Sequence, residues 1–255
     1  MRLKSPVIFA ALSALSLFGC LPKPIPTIPG NPDWGVDVTW HGHSCFTFKD
    51  STGRTLAIDP FDDTVGYGHL SLRADALLIT HEHFDHNEKR AVRARSRDVD
   101  LFESTGTDTV AGGVAVTGID SFHDKVHGKL YGPNKMYSFM MGGLRFVHMG
   151  DFGQDHLTEV QTAMMGKVDV LMIPVGGFTT LGPKEAKEVV DHLKPRVVFP
   201  MHYGDIRFYK LADVKEFANL FPKDRVHYVQ QSTVRIRQTE LSSDPGLWEI
   251  DWRIL

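Results

Sequence analysis

Three histidines, His81, His83 and His86, occur together with Asp85 in a stretch of six residues. Imidazole nitrogens and carboxylate oxygens at this density suit Zn²⁺ or a similar divalent metal. The segment offers more donors than one tetrahedral site would take from so short a loop while keeping a bound water, so we predict two neighbouring metals. The whole chain contains 13 His against 6 Tyr and 4 Trp, which also favours metal chemistry because His is the commonest side-chain metal ligand.

Three further segments place a possible ligand at the end of an apolar run. His148 ends one run and is followed by Asp151, His202 follows a second run, and His123 follows a third. Strand ends on one rim of a sheet are a rigid way to present a functional site. We therefore expect these side chains to lie beside the segment 81–86.

Positioning these donors requires short strands, and the sequence predicts a domain of mixed α and β structure. Runs rich in β-branched and apolar residues, bounded by Gly, Asp or Pro, predict strands at 36–40, 45–48, 55–58, 76–79, 114–119, 136–140, 144–148, 168–173 and 197–200. Apolar residues at helical spacing predict helices at 88–97, 157–164, 183–193 and 211–220. No repeat or linker interrupts residues 36–240, so we expect one domain of two sheets with helices outside.

The C-terminal tail, residues 241–255, ends in a segment that alternates apolar and charged residues. From 247 to 255, Trp248, Ile250, Trp252 and Ile254 alternate with Glu249, Asp251 and Arg253. This period of two predicts an edge strand that packs on one face. A strip that binds a partner or touches a membrane is the alternative interpretation.

The first nineteen residues have the pattern of an export signal. Arg2 and Lys4 precede an apolar stretch at 6–18 that is too short to span a bilayer but suits a signal-peptide core. The run ends in Phe18-Gly19-Cys20, which resembles the bacterial lipobox, and this resemblance implies that Cys20 is lipidated and becomes the mature N-terminus. A plain cleaved signal or an uncleaved anchor helix remains as an alternative.

The segment that follows Cys20 predicts an extended spacer. Residues 21–32 contain five prolines, which prevent both helix and sheet ladder, so residues 20–35 would carry the lipid and hold the domain off the membrane. The protein is then an exported, membrane-anchored lipoprotein on the periplasmic or outer face. If Cys20 carries lipid, the second cysteine, Cys45, has no disulfide partner.

Composition excludes several classes of protein. With 255 residues of which 42% are hydrophobic, the chain can bury a core and is neither disordered nor a disulfide scaffold. Lys and Arg number 28 against 31 Asp and Glu, for a net charge of −3. Because this balance offers no basic surplus for a phosphate backbone, we expect no nucleic-acid partner.

The order of these motifs resembles the metallo-β-lactamase superfamily. The histidine-rich segment 81–86, a later His123, the pair Gly150-Asp151 and the segment 200–204 occur in that family's order. The chain is most similar to the branch of small metal-dependent hydrolases that includes ascorbate-6-phosphate lactonase and, more distantly, the phospholipase D that acts on N-acyl phosphatidylethanolamine. That branch also carries motifs like those at 41–44, 58–60 and 173–177 here, so the resemblance covers residues 36–235.

The resemblance implies a fold and a ligand set. The fold is an α+β, four-layer αββα sandwich forming a single domain, with the site at one edge of its two sheets. His81, His83 and His123 would bind the first metal, Asp85, His86 and His202 the second, and Asp151 would bridge the two. The cofactor is Zn²⁺, two ions per chain, with Mn²⁺ as an alternative.

A mechanism follows from that ligand set. A hydroxide held by the two metals is the expected nucleophile, so no Ser or Cys nucleophile is required. Asp151 and Asp85 are the expected catalytic carboxylates, and Asp85 could also accept the proton of the attacking water. Asp59, His43 and His148 are expected to orient the ligands, although His43 and His148 could instead be packing residues.

Other histidines and tyrosines receive weaker expectations. His127 and Tyr131 could border the substrate, and Tyr203 could reach substrate or pack. Six histidines match no ligand position and are expected to be surface or structural residues, namely His41, His69, His127, His156, His192 and His227.

Several functions compete with a hydrolase of ester-like bonds. β-Lactam hydrolysis is disfavoured because Asp151 stands where zinc β-lactamases with a mixed second site place Cys. An oxygen reductase would carry Glu at the position of His83. A metal-binding lipoprotein without turnover remains the non-enzymatic alternative. The expected substrate is a small or lipid-like molecule with a lactone, phosphodiester or lactam bond, in that order of preference.

Overall fold

The computed structural model describes residues 34–96, 98–204, 206–208, 210–242 and 246–250. The predicted signal segment, the proposed lipidation site at Cys20 and most of the proline-rich spacer lie outside these residues, as do Trp252 and Ile254. Among the described residues, no helix is both long and apolar enough to cross a membrane.

Strands dominate the described chain. They are β1 (Gly35–Gly42), β2 (Cys45–Asp50), β3 (Thr55–Ile58), β4 (Leu72–Ala74), β5 (Ala76–Leu78), β6 (Val92–Ala94), β7 (Asp100–Phe102), β8 (Gly106–Val110), β9 (Val114–Phe122), β10 (Pro133–Met141), β11 (Leu144–His148), β12 (Val170–Pro174), β13 (Val197–Met201), β14 (Val226–Val229), β15 (Thr233–Arg237) and β16 (Gly246–Ile250). The α-helices are α1 (Glu159–Met165), α2 (Pro183–Leu193) and α3 (Val214–Ala218).

Two large sheets form the sandwich that the resemblance implies. One sheet has the order β15-β1-β2-β3-β5-β7 and the other β14-β16-β13-β12-β11-β10-β9-β8, while β4 and β6 form a small ribbon. Aromatic side chains from both large sheets meet between them: the ring centroid of Phe48 lies 5.0 Å from that of Phe139 and 5.3 Å from that of Phe146. These rings are buried, and burial of such area is a main source of stability.

The outer layers differ from each other in structure. The three α-helices cover the eight-stranded sheet, where Val190 of α2 and Phe217 of α3 share a buried cluster with Leu171 and Val198 of the sheet. The six-stranded sheet is covered by short 3₁₀ turns and the β4–β6 ribbon, whose Leu72 and Val92 pack over it. The metallo-β-lactamase fold is therefore present, with little helix on one side.

The predicted helix at 88–97 is wrong. Lys89–Ala91 forms a 3₁₀ turn, and β6 then pairs with β4 in parallel. Ala91 is the buried residue of the turn and Val92 that of the strand. The segment therefore lacks the continuous apolar face that would stabilise a full helix against the core.

The predicted helix at 211–220 is shorter than expected. The backbone N–H of Leu211 donates to the carbonyl of Gly204, and that of Ala212 donates to the carbonyl of Gly176. Asp213 then accepts a hydrogen bond from the N–H of Lys215 and starts α3. The helix begins late because the backbone before it is already bound elsewhere.

The prediction of a C-terminal edge strand is wrong for the described part of the tail. β16 lies between β13 and β14 and runs parallel to both. Leu247 is fully buried under the helices, and Trp248 packs toward the central core, 6.3 Å from the ring of Phe199. Leu247 and Trp248 thus pack on opposite faces of an inner strand.

Candidate metal centre

Five strand ends converge at one edge of the sandwich. Asp59 follows β3, His81 follows β5, His123 follows β9, Asp151 follows β11 and His202 follows β13. The turn between β1 and β2 adds His43 to the same edge. The strands therefore deliver side chains that are far apart in sequence to one rim.

The first group contains the three histidines expected to bind the first metal. Ligand atoms of His81, His83 and His123 all lie within 4.8 Å of one another. His81 and His123 are buried, whereas His83 is partly exposed. This placement leaves one side of the group open.

The second group contains four residues, one more than expected. Ligand atoms of Asp85, His86, His202 and His43 lie within 4.8 Å of one another. His43 is fully buried, and its Nε2 lies 3.2 Å from Oδ2 of Asp85. The ring of His43 also lies 4.4 Å from that of His202. His43 therefore joins the second group directly, beyond the orienting role expected from the sequence.

Asp151 lies between the two groups. Its Oδ2 is 2.9 Å from Nε2 of His123 and 3.2 Å from Nε2 of His202. Its Oδ1 is 3.2 Å from Nε2 of His86. One carboxylate thus faces histidines of both groups, which is the position that a bridging ligand requires.

Hydrogen bonds fix the orientation of three imidazoles. His86 donates from Nδ1 to Oδ2 of Asp59 at 2.8 Å. His81 donates from Nδ1 to Oγ1 of Thr80 at 2.9 Å, and that hydroxyl donates to Oδ2 of Asp59 at 2.6 Å. His123 donates from Nδ1 to the carbonyl oxygen of Thr179 at 3.1 Å. Since Nδ1 is used in each ring, Nε2 is the nitrogen that would bind a metal.

Polar atoms without partners support the fit to a metal. In the described part of the chain, Nε2 of His81, Nε2 of His86 and Oδ1 of Asp151 are buried without a hydrogen-bond partner. The same holds for Nδ1 of His43 and Nδ1 of His202. Buried polar atoms are normally satisfied, so a cluster of such atoms on side chains that are able to bind a metal fits a cation site.

The electrostatics of the cluster keep its carboxylates ionised. Burial favours the protonated form of Asp151, but the nearby His202, His86 and His123 outweigh it and hold the pKa of Asp151 well below its usual range. Burial lowers the pKa of His81 far below its usual value and that of His43 to about 4. Neutral imidazoles beside carboxylates are the protonation states that ligation needs.

His86 and His123 differ from His81 and His43. Burial lowers the pKa of His86, but the charges of Asp151 and Asp85 outweigh burial and raise that pKa well above its usual value. Burial also lowers the pKa of His123, but the charge of Asp151 and the hydrogen bonds to Asp151 and Thr179 outweigh it and raise that pKa. A metal entering the second group would therefore displace a proton from His86.

The backbone around the site is held in unusual conformations. His43, Asp59 and His202 have φ angles of 50°, 48° and 51°, in the left-handed region that costs about 1–3 kcal/mol for such residues. Gly150 also has a positive φ of 54°, and a Cβ there would collide with Asn134 and Thr80. Strained positions concentrated at one rim fit a functional site.

Three positioning residues were not predicted from the sequence. Thr80 and Thr179 bind ligand imidazoles as described above. Oδ1 of Asn134 accepts a hydrogen bond from the N–H of Asp151 at 2.9 Å, while its Nδ2 donates to the carbonyl of Met149 at 2.9 Å. Asn134 therefore fixes the turn that carries Asp151, the carboxylate expected to bridge the two groups.

The three residues expected to orient ligands have different positions. Asp59 binds His86 and, through Thr80, His81. His43 contacts Asp85 within the second group. His148 contacts the backbone instead: Nε2 donates to the carbonyl of Ser44 at 2.9 Å, and Nδ1 accepts from the N–H of Gly150 at 3.1 Å. Both ring nitrogens of His148 are thus used, and it joins the two sheets behind the site.

The remaining histidines lie outside both ligand groups. His41 contacts Oγ1 of Thr47, and His69 contacts Asp63 on the surface. His127 packs against Phe122, with ring centroids 5.4 Å apart. The two ligand groups include none of the six histidines that the sequence left unassigned.

An open cleft of about 480 Å³ leads to the cluster. Its lining residues are Glu82, His83, Phe84, Asp85, His123, Tyr131, Asp151, Phe178, Thr179, His202 and Leu211. Tyr131 thus borders the cleft, as the sequence suggested, while His127 is not among its lining residues. Tyr203 packs against Trp40, with ring centroids 5.4 Å apart.

Known proteins with similar sequences and structures carry related descriptions. The family described as "Beta-lactamase superfamily domain" matches residues 37–202. A UPF0173 metal-dependent hydrolase from Thermococcus onnurineus is 30% identical over 192 residues, covering 66% of this chain and 85% of the relative. A UPF0173 protein from Pyrococcus furiosus is 29% identical over 213 residues, covering 75% of this chain and 93% of the relative.

A solved structure is also similar over most of the chain. It is the crystal structure of a proposed Zn-dependent hydrolase of the metallo-β-lactamase superfamily from Thermotoga maritima. The two proteins share 32% identity with a TM-score of 0.68, over 85% of this chain and 100% of the other.

Proposed function

The chain belongs to the metallo-β-lactamase superfamily of metal-dependent hydrolases, and from this premise we propose that it uses two zinc ions to hydrolyse an ester-like bond. A lactone is the first candidate substrate and a phosphodiester the second. The arrangement of Asp151 between two groups of histidines carries the proposal of two metals.

The donor set supports zinc. Imidazole nitrogens outnumber carboxylate oxygens in both groups, and such sets suit Zn²⁺ better than Mn²⁺, which prefers oxygen. The Thermotoga maritima relative is described as a proposed Zn-dependent hydrolase. Manganese remains the alternative metal.

Two carboxylates at the cleft have separate tasks. When bound, the metals supply an activated water for attack and polarise the bond that is cleaved. Burial raises the pKa of Asp85, but the charge of His86 and the hydrogen bond from His43 outweigh it, so the pKa lies well below its usual range. Asp85 is thus ionised, as a metal ligand must be, and lies at the cleft, where its carboxylate can accept a hydrogen bond from the attacking water. Asp151 holds the two ligand groups at a fixed separation.

Metal analysis and a substrate screen test this proposal together. Purified protein should contain two zinc ions per chain and should hydrolyse a lactone or bis(p-nitrophenyl) phosphate in a reaction that a chelator abolishes and added zinc restores. Nitrocefin should react poorly because Asp151 replaces the cysteine of mixed-site zinc β-lactamases. Bound metal without turnover of any ester would favour a metal-binding lipoprotein and contradict the enzyme.

The variant His83→Ala tests the ligand assignment. His83 lines the cleft and is partly exposed, so removing its ring should leave the fold intact while the first metal and most activity are lost. His127→Ala is the matched control, since His127 lies outside both ligand groups. An unchanged metal content in His83→Ala would refute the assignment.

The cellular location is proposed on the sequence alone. We expect an exported lipoprotein anchored through Cys20, acting on a small or lipid-like substrate and not on nucleic acid. Cys20→Ser should move the protein from the membrane fraction to the soluble fraction. Continued membrane attachment would favour an uncleaved anchor helix.

A further inference from the structure

We propose that the cleft selects a neutral ester or lactone with an apolar acyl chain, and that Phe84 and Phe178 determine this specificity. The inference rests on the proposed function and names its substrate class. The apolar chain of the substrate would lie between these two aromatic residues, and the bond to be cleaved would lie at Asp151 and Asp85.

Exposed aromatic residues border the cleft. Phe178 and Phe84 line it with 71% and 45% of their surface exposed, and Tyr131 lines it on the side of His123. Phe208 packs edge-on against Phe84, with ring centroids 5.6 Å apart, and is itself exposed. Exposure of aromatic surface to water is unfavourable, so the binding of a ligand that covers this surface is favoured.

The backbone at Phe178 strengthens the functional interpretation. Phe178 has a φ of 66° and follows Gly177, whose φ is 70°. The turn is held by hydrogen bonds from the N–H of Gly177 to the carbonyl of Leu181 and from the N–H of Thr180 to the carbonyl of Gly177. A left-handed conformation is costly for a bulky residue, and strained residues concentrate at sites that bind ligands.

The same turn joins the aromatic border to the metal centre. Thr179, next to Phe178, accepts the hydrogen bond that orients His123. A chain lying against Phe178 would therefore be placed at a fixed distance from the first ligand group. This connection suits a residue that positions substrate.

The charge of the cleft argues against an anionic substrate. Among the described residues that line it, none is Lys or Arg, while Glu82, Asp85 and Asp151 are acidic. The proposed metals would themselves bind a phosphoryl oxygen, but recognition of the remaining charge of a phosphate group normally also uses Arg, Lys or a cluster of backbone N–H groups. The described lining thus favours the lactone candidate over the phosphodiester.

The volume of the cleft accommodates a chain of moderate length. About 480 Å³ lies within the range of pockets that hold small organic ligands. Each methylene group that is transferred from water into the cleft adds a roughly constant amount to the free energy of binding. Affinity should therefore rise steadily with acyl length until the cleft is filled.

Two measurements on zinc-loaded, full-length protein test the inference. For p-nitrophenyl esters from acetate to octanoate, kcat/KM should rise by at least about 30-fold with chain length. Octanamide, a neutral analogue, should bind more tightly than acetamide by a similar factor in calorimetry. The binding measurement decides the inference even if no ester is turned over.

Substitutions locate the effect. Phe178→Ala and Phe84→Ala should each reduce the preference for the longer chain by about tenfold, with metal content unchanged. Tyr228→Ala is the matched control, because Tyr228 is an exposed aromatic residue that does not line the cleft. A preference that survives both substitutions would overturn the assignment of these residues.

Failure of the inference differs from failure of the proposed function. Chelator-sensitive turnover that ignores chain length, together with equal affinity for acetamide and octanamide, would overturn the substrate class and leave the hydrolase in place. Faster turnover of bis(p-nitrophenyl) phosphate than of the carboxylic esters would also overturn the substrate class and leave the hydrolase in place. If no ester showed chelator-sensitive turnover, the proposed hydrolase would be contradicted. The affinity for octanamide would still show whether the cleft binds an apolar chain.

Discussion

At the scale of single residues, the metal centre depends on hydrogen bonds between side chains far apart in sequence. Asp59 is fully buried and accepts hydrogen bonds from the N–H and the hydroxyl of Thr80 and from His86. Thr80 in turn accepts from His81. One carboxylate therefore sets the orientation of a histidine in each ligand group.

Thr80→Val tests this chain of hydrogen bonds. Valine has nearly the same shape but cannot accept from His81 or donate to Asp59, so we expect metal affinity to fall about tenfold or more, as such positioning residues typically cause. Competition with a chromophoric chelator measures the affinity. Thr107→Val, at an exposed position, should have no effect. Equal affinity in both variants would show that Thr80 does not position His81.

The residues that gather at the site were predictable because they occur in local motifs, whereas the residues that support them were not. His81, His83, Asp85 and His86 stand in one short segment that is informative by itself. Thr179 and Asn134 gave no signal, because their roles arise from contacts with residues 56 and 17 positions away. His43 was predicted only as a neighbour of the site, and the turn between β1 and β2 brings it into the second group.

At the scale of elements, strands buried on both faces were the easiest to predict. β12 and β13 are buried at every position, and continuous apolar runs give a clear signal. β8 has three exposed residues out of five and was missed, because its polar composition looks like a loop. The segment 88–97 was mistaken for a helix because its few apolar residues fit helical spacing, while tertiary pairing with β4 decided its structure.

The turn between β2 and β3 makes a pH-dependent contribution to stability. Burial raises the pKa of Asp50, but hydrogen bonds from Thr52 and Arg54 and the charge of Arg54 outweigh it, so the pKa lies below its usual value of 3.8. The carboxylate accepts from the N–H of Thr52 at 2.9 Å and from Nε of Arg54 at 2.7 Å. A group whose pKa is lower in the folded state stabilises the protein at high pH and loses this effect on acidification.

Asp50→Asn should therefore destabilise the protein in a pH-dependent manner. Near neutral pH we expect a loss of about 1–2 kcal/mol in the free energy of unfolding. The difference from the wild type should be constant above the unfolded pKa near 3.8 and should shrink as pH falls through the lower folded pKa. Urea unfolding at several pH values measures it, with the exposed Glu188→Gln as control. A difference that persists in strong acid would refute the role of the ionised carboxylate.

At the scale of the whole molecule, the C-terminal region completes the sheet that carries half of the site. β16 pairs with β13 on one side and β14 on the other, so the eight-stranded sheet is continuous only when this strand is in place. β13 ends next to His202, a member of the second ligand group. The sequence pattern showed the strand but not its neighbours, because pairing between distant segments leaves no local signal.

Leu247→Ala tests whether β16 is an integral part of the domain. Leu247 has no exposed surface and shares a buried cluster with Val198, Val189 and Phe217, so truncation leaves a cavity and should cost about 2–5 kcal/mol in the free energy of unfolding. Leu220→Ala, at a position with 38% of its surface exposed, should cost far less. Chemical denaturation of both variants measures the difference. Equal costs would mean that β16 contributes little to the core, whereas the expected contrast would make the tail part of the folded domain that supports His202.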